Sequence, residues 1–211
     1  MHITRWGKKR AKEWEKIWPK LEVADIILTH DAGSALSGII RKVTDSYWNH
    51  SLLVFFTKKN KYFFKNILFV SAEDHGIELH RMQRYTNHFD YIDIGVKRVP
   101  GLNEELQKKI AKYMLNNIDI PYDYTRLLGL LVKFASSRIS GSEEHLKSFL
   151  TNKDAFVCSS FLQKAFYESV PPEMKQAVLF KKGSSEKELE ELTPSVIARS
   201  EACEWVYNPH D

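Results

Sequence analysis

The sequence predicts an α+β fold in which an antiparallel β-sheet packs against helices. Three observations carry that expectation. Between Asp25 and Arg98, short apolar runs rich in Val, Ile, Phe and Tyr follow one another without a helical period, the pattern of consecutive antiparallel strands. After Pro100-Gly101 the spacing changes, and apolar residues recur every three or four positions, as on an amphipathic helix. The chain has 211 residues, 43% hydrophobic and 27% charged, enough for one domain with its own core and no need of a disulfide scaffold.

The elements follow in order. Residues 8–18 read as a helix ended by Pro19, with Trp14, Ile17 and Trp18 on one stripe and Lys8, Lys9, Arg10, Lys12 and Lys16 mostly off it. Such a helix either packs its tryptophans on the domain or lies on an anionic membrane. Packing is the expectation, because Glu13 and Glu15 interrupt the basic face and the segment is short. Residues 1–23 are therefore read as an N-terminal amphipathic helix and 24–211 as the domain. Strands are expected at 25–29, 50–56, 62–71, 76–80 and 91–98, with residues 58–61 turning a hairpin. A short helix is expected near Ser37–Thr44. Leu102, Leu106, Ile110, Tyr113 and Met114 mark a longer one, which Pro121 ends at the latest. Residues 127–134 read as helical and 136–153 as an exposed excursion. Residues 156–170 form a second strong helix stopped by Pro171-Pro172, and Thr193-Pro194-Ser195 is a helix start with proline at its first position.

Composition removes several classes of function. A net charge of +4 is too weak a signal for a nucleic-acid binder. Cys158 and Cys203 form no CxxC pair, which excludes a zinc finger or ribbon. No apolar leader and no membrane-length apolar run are present, so a soluble cytoplasmic protein is expected. Gly33 to Gly38 has the glycine spacing of a phosphate loop, but Ile39 and Ile40 stand where Lys and Ser/Thr are required. There is no GxSxG elbow, and His75 and His80 lack the i, i+4 spacing of a helical zinc pair. No metal or organic cofactor is implied, and nothing in the sequence speaks to oligomeric state.

Two residues carry chemistry. Cys158 falls in the first turn of a helix whose apolar face is Phe161, Leu162, Ala165 and Phe166. A thiol there feels the positive end of the helix dipole and unpaired N–H groups, which favour the thiolate and can stabilise an oxyanion. His50 opens a strand, where an imidazole can be held against such a helix end, and a Cys/His pair distant in sequence is a nucleophile arrangement. The competing reading is a buried structural thiol and a structural histidine.

The segments Asp25-Ile-Ile-Leu, Ser46-Tyr-Trp-Asn-His50-Ser-Leu-Leu-Val, Pro121-Tyr-Asp-Tyr124 and Val157-Cys-Ser-Ser-Phe161, with Thr193-Pro-Ser195 and Arg199-Ser200 near the end, resemble a known family. They are similar to the circularly permuted NlpC/P60 cysteine hydrolases of the papain-like superfamily, in the YiiX/YaeF-like group. The resemblance spans about residues 24–207 and rests on the order of these motifs, histidine before cysteine. It implies Cys158 as nucleophile, His50 as general base, Tyr122 as a tyrosine beside the nucleophile, and backbone N–H groups at Cys158 and Ser159 as oxyanion donors. For the residue that orients His50 it points to the strand end at 69–74. Ser71 and Glu73 share one side of an extended strand. Glu73 is preferred because a carboxylate supports an imidazolium better than a hydroxyl does, while motif alignment can place Ser71 there. The implied activity is hydrolysis of an amide, a peptide or cell-wall-type peptide, with no nucleic-acid partner. The alternatives are a lipid ester or thioester hydrolase, an acyltransferase, and a non-catalytic binding module on the same fold.

Overall fold

Five β-branched and aromatic runs become β1 (Ile26–Asp31), β2 (His50–Thr57), β3 (Ile67–Glu73), β4 (Gly76–Arg81) and β5 (Ile92–Arg98). A sixth strand, β6 (Glu204–Tyr207), comes from the C-terminal tail. This computed structural model describes residues 5–33, 46–57, 67–73, 76–117, 158–185, 188–189 and 192–210. The strands form one six-stranded sheet in the order β4-β3-β2-β1-β5-β6, every neighbouring pair antiparallel. The described helices are α1 (Arg5–Ile17), α2 (Gln83–Thr86), α3 (Glu104–Leu115), α4 (Cys158–Ser169) and α5 (Pro194–Arg199). The protein is thus α+β with an antiparallel sheet.

Alternation along the strands sends side chains into two cores. On one face, Ile26, Leu28, Leu53, Val70 and Ile77 meet Ile110 and Met114 of α3 and Phe161, Leu162 and Phe166 of α4. On the other, Ile27, Leu52, Val54, Phe69 and Val96 meet Trp14 and Ile17 of α1, together with Met82, Tyr85 and Phe89. Burial on both faces explains why β1 and β2 read as continuous apolar runs rather than alternating ones. It also takes Trp14 and Ile17 of α1 out of solvent, with Trp14 1% exposed, while Trp18 just beyond α1 is half-buried. Among the described residues no helix is long and apolar enough to cross a membrane.

Two departures from the sequence reading concern short elements. A single helical turn, α2, interrupts the β-rich run between β4 and β5, and β6 follows the helices instead of preceding them. Four residues are too few to show a period, and β6 exists because it pairs with β5, Val96 against Tyr207. The return strand of the hairpin starts at Ile67; residues 58–66 lie outside the described residues. So do the helices expected near 37–44 and 127–134 and the excursion at 136–153.

Polar clamps fix the layers. Buried Asp25 accepts two bonds from Arg98, at 2.7 and 2.8 Å, and one from the Glu22 N–H at 2.8 Å. This bidentate pair ties the turn before β1 to the end of β5. Lys97, 2% exposed, donates to the carbonyls of Ile197, Ala198 and Ser200 at 2.9–3.0 Å. All three ammonium protons are used, and they satisfy carbonyls at the C-terminal end of α5, where a cation is favoured.

Gly95 sits in β5 opposite Leu28, on the face that carries α3 and α4. A Cβ there would lie 2.8 Å from the Trp48 ring and 2.9 Å from the Trp205 ring. Neither ring is a flexible chain end, so Gly95→Ala is expected to destabilise the fold by about 1–3 kcal/mol, read from the urea midpoint. A neutral result would show that the two tryptophans repack freely.

Candidate active site

The first residue of β2 and the first residue of α4 meet. Ser51 shares a strand face with Leu53, the face on which α4 lies, and its hydroxyl is 3.1 Å from that of Ser159. The Ser159 hydroxyl is 3.9 Å from the Cys158 sulfur, and both serines are fully buried. The Cys158 thiol takes hydrogen bonds from the His50 side chain and from the hydroxyl and backbone N–H of Ser51. Burial pushes this thiol up, but the His50 charge and the bonds from His50 and Ser51 outweigh it, and the thiol falls from its ordinary 9.0 to about 7. A thiol lowered this far carries thiolate at neutral pH, the form that acts as a nucleophile.

Pairing on β1 fixes His50. His50 lies opposite Thr29, and the neighbouring Asn49 N–H donates to the Thr29 carbonyl at 3.0 Å. The Asn49 side-chain oxygen accepts from the Asp31 N–H at 2.7 Å. Backbone on both sides of the imidazole's Cα is therefore tied to a central strand, the kind of rigid support that a catalytic side chain needs.

The structure brings Cys158 and His50 together and sets Ser159 beside them. Glu73 is the last residue of β3, three positions beyond Val70, which pairs with Leu53. The β2–β3 pairing ends at Leu53 and Val70, so Ser71, itself 1% exposed, and Glu73 lie beyond its last paired position. Tyr122 lies outside the described residues, as do Asp74 and His75. His80 is 8% exposed, with Arg84 at 3.0 Å and the Glu78 carboxylate at 3.4 Å.

Ser51 is the site residue that sequence reasoning missed. A serine in an apolar strand carries no motif of its own. The available signal was its alternation with Leu53, which places it on the helix-covered face one residue from His50. Cys203 is a different kind of thiol, 3% exposed, donating to the Ile197 carbonyl at 3.7 Å and pushed up by burial.

No family model and no curated protein matches the chain. Among solved structures, the crystal structure of the metalloprotein YiiX from Escherichia coli O157:H7 aligns with a TM-score of 0.58 and 17% identity, covering 89% of this chain and 97% of that one. A likeness over nearly the whole of both chains at so low an identity establishes shared architecture and leaves chemistry to the site. The chain has the fold of YiiX.

Proposed function

We propose that this protein is a cysteine hydrolase of the permuted NlpC/P60 type, cleaving an amide in a peptide or cell-wall-type peptide. The observation that carries the reading is the Cys158 thiol, buried at the start of α4 and yet lowered to about 7 by His50 and Ser51. The motif order, with His50 ahead of Cys158, and the YiiX fold support the same family.

In this mechanism the Cys158 thiolate attacks the acyl carbon and a C–S bond forms. Negative charge on the carbonyl oxygen is held by backbone N–H groups at the start of α4, those of Cys158 and Ser159. The C–N bond then breaks, and the leaving amine takes its proton from His50. Water attacks the thioester, His50 accepts the water proton, and the acid departs with the thiolate restored. In this reading Glu73, the residue that the family resemblance favours at the end of β3, orients the imidazole and stabilises its charged form.

The word metalloprotein belongs to YiiX. A structural or catalytic zinc takes three or four protein ligands. Among the described residues no three His, Cys, Asp or Glu side chains are grouped to hold an ion.

Trapping the acyl-enzyme tests the proposal. Brief incubation with an activated acyl ester, quenched in acid, is expected to add one acyl group to Cys158 by intact mass and peptide mapping. Cys158→Ala removes the adduct, and His50→Ala slows both its formation and its loss. A protein that acylates no faster than a free thiol would be a binding module on this fold. Turnover of esters with no cleavage in a peptide library would move the bond from amide to ester.

A further inference from the structure

We propose that Asp93 is a positioning residue for His50, acting through Tyr47 and anchored by Arg10 of the N-terminal helix. The inference rests on the reading of His50 as the base paired with Cys158. Asp93 lies in β5 opposite His30 of β1 and is 4% exposed. One carboxylate oxygen pairs with Arg10 Nε, and the other accepts the phenolic O–H of Tyr47. The Arg10 side chain is 12% exposed, and its Nη1 donates to the Phe89 carbonyl at 2.7 Å.

Tyr47 stands three residues before His50. Its ring stacks on His30 at 4.0 Å between centroids and 13° between planes, and its carbonyl accepts from His30 Nδ1 at 2.7 Å. The Ser46 hydroxyl donates to the Trp48 carbonyl at 2.7 Å, and Asn49 is bonded to β1 on both sides. The segment that delivers His50 is thus held residue by residue. The Tyr47 phenol ties this segment to Asp93 of β5 and, through Asp93, to Arg10 of α1.

A carboxylate this buried is costly unless both of its oxygens are satisfied. Apolar contacts at Trp14 and Ile17 already dock α1, so docking does not require the charge. What the charge adds is direction: a bridging carboxylate holds a guanidinium and a phenol in one geometry, and the phenol sets the path of the chain into His50. The N-terminal helix, outside the sheet, thereby supports the catalytic pair from behind.

The test compares Asp93→Asn, Tyr47→Phe and Tyr207→Phe with the wild type, all as full chains. Asparagine keeps the shape but not the charge, and with its oxygen toward one partner its NH2 faces the other, so acceptance from Arg10 and Tyr47 by two anionic oxygens is lost. Tyr207→Phe cuts a different polar tie of α1, the 2.9 Å bond from Tyr207 to Glu13, and leaves the Arg10 and Tyr47 contacts of Asp93 in place. Two readouts are followed: the pH midpoint of Cys158 alkylation, and the ring NMR signals of His50, assigned by their loss in His50→Ala. Asp93→Asn and Tyr47→Phe are expected to raise the midpoint by about half a pH unit or more and to move the His50 signals. Tyr207→Phe is expected to leave both at their wild-type positions. Unmoved His50 signals and midpoint in folded Asp93→Asn and Tyr47→Phe overturn the proposal. Equal movement in Tyr207→Phe does so too, since general docking of α1 would then be the cause. Should Asp93→Asn not fold, Tyr47→Phe, which deletes one hydroxyl, decides. A wild-type midpoint near that of a free thiol would remove the hydrolase reading, while the His50 signals would still decide the positioning role.

Discussion

Replacing His50 with alanine moves the pH midpoint of Cys158 alkylation from about 7 to above the ordinary thiol value of 9.0, because burial then acts on the thiol without the opposing imidazole. At pH 7 the wild-type thiol is half ionised, and one titrating at 9 is about 1% ionised, so the thiolate population falls roughly 50-fold. A less acidic thiolate is intrinsically more nucleophilic, by up to about tenfold over two units, which returns part of the rate. The net fall at pH 7 is about fivefold or more. The direction with pH follows from the same ionisation. In the wild type the rate falls about tenfold per unit below the midpoint and levels off above pH 8, whereas in His50→Ala it is still rising at pH 9. Alkylation with iodoacetamide, followed by intact mass with Cys158→Ala as the reference for Cys203, measures both curves. A wild-type midpoint near 9, or one that His50→Ala does not move, removes the activated pair.

Trp14→Ala is expected to cost about 3–5 kcal/mol in stability, the largest loss available in α1. Trp14 is 1% exposed, its ring lies 6.5 Å from that of Phe89, and it occupies the centre of the core on the sheet face that α1 covers. Its Nε1–H has no acceptor among the described residues. Trp14→Phe therefore keeps most of the packing while deleting an unsatisfied buried donor, and is expected to cost well under half as much. Urea unfolding with a constant m-value separates the two variants. Near-neutral behaviour of Trp14→Ala would show that α1 contributes little to the core. A large loss makes α1 a structural layer, whose tryptophan reaches a lipid surface only by leaving the sheet.

Local sequence determines much of this architecture. The β-branched runs at 26–31 and 50–57 have no alternative to burial on both faces, and the helices at 104–115 and 158–169 carry their apolar stripe in their spacing. Asn103 caps the first of these through the Leu106 N–H at 2.9 Å, and Pro194 opens the helix at 194–199 as its rigid ring predisposes it to do. The candidate pair, Cys158 and His50, was also legible. A cysteine at a helix start and a histidine at a strand start are recognisable by position, before any contact is known.

Contacts between residues distant in sequence decided the rest. Ser51 becomes part of the site because strand alternation turns it toward Ser159, 108 positions away, and no local signal encodes that meeting. The strand at 204–207 forms because β5 offers it an edge, and Trp14 and Ile17 of α1 are buried because the sheet offers them a second face. Lys97 reads as a solvated charge in a strand until the carbonyls of Ile197, Ala198 and Ser200 surround its ammonium. The depressed thiol follows the same division. Sequence by itself determined most of the elements and which residues are candidates for the chemistry, since both depend on short-range periodicity and residue type. Tertiary structure alone decided which faces are covered and how far Cys158 is activated, since burial and Coulomb energy depend on distances in space that the order of residues does not contain.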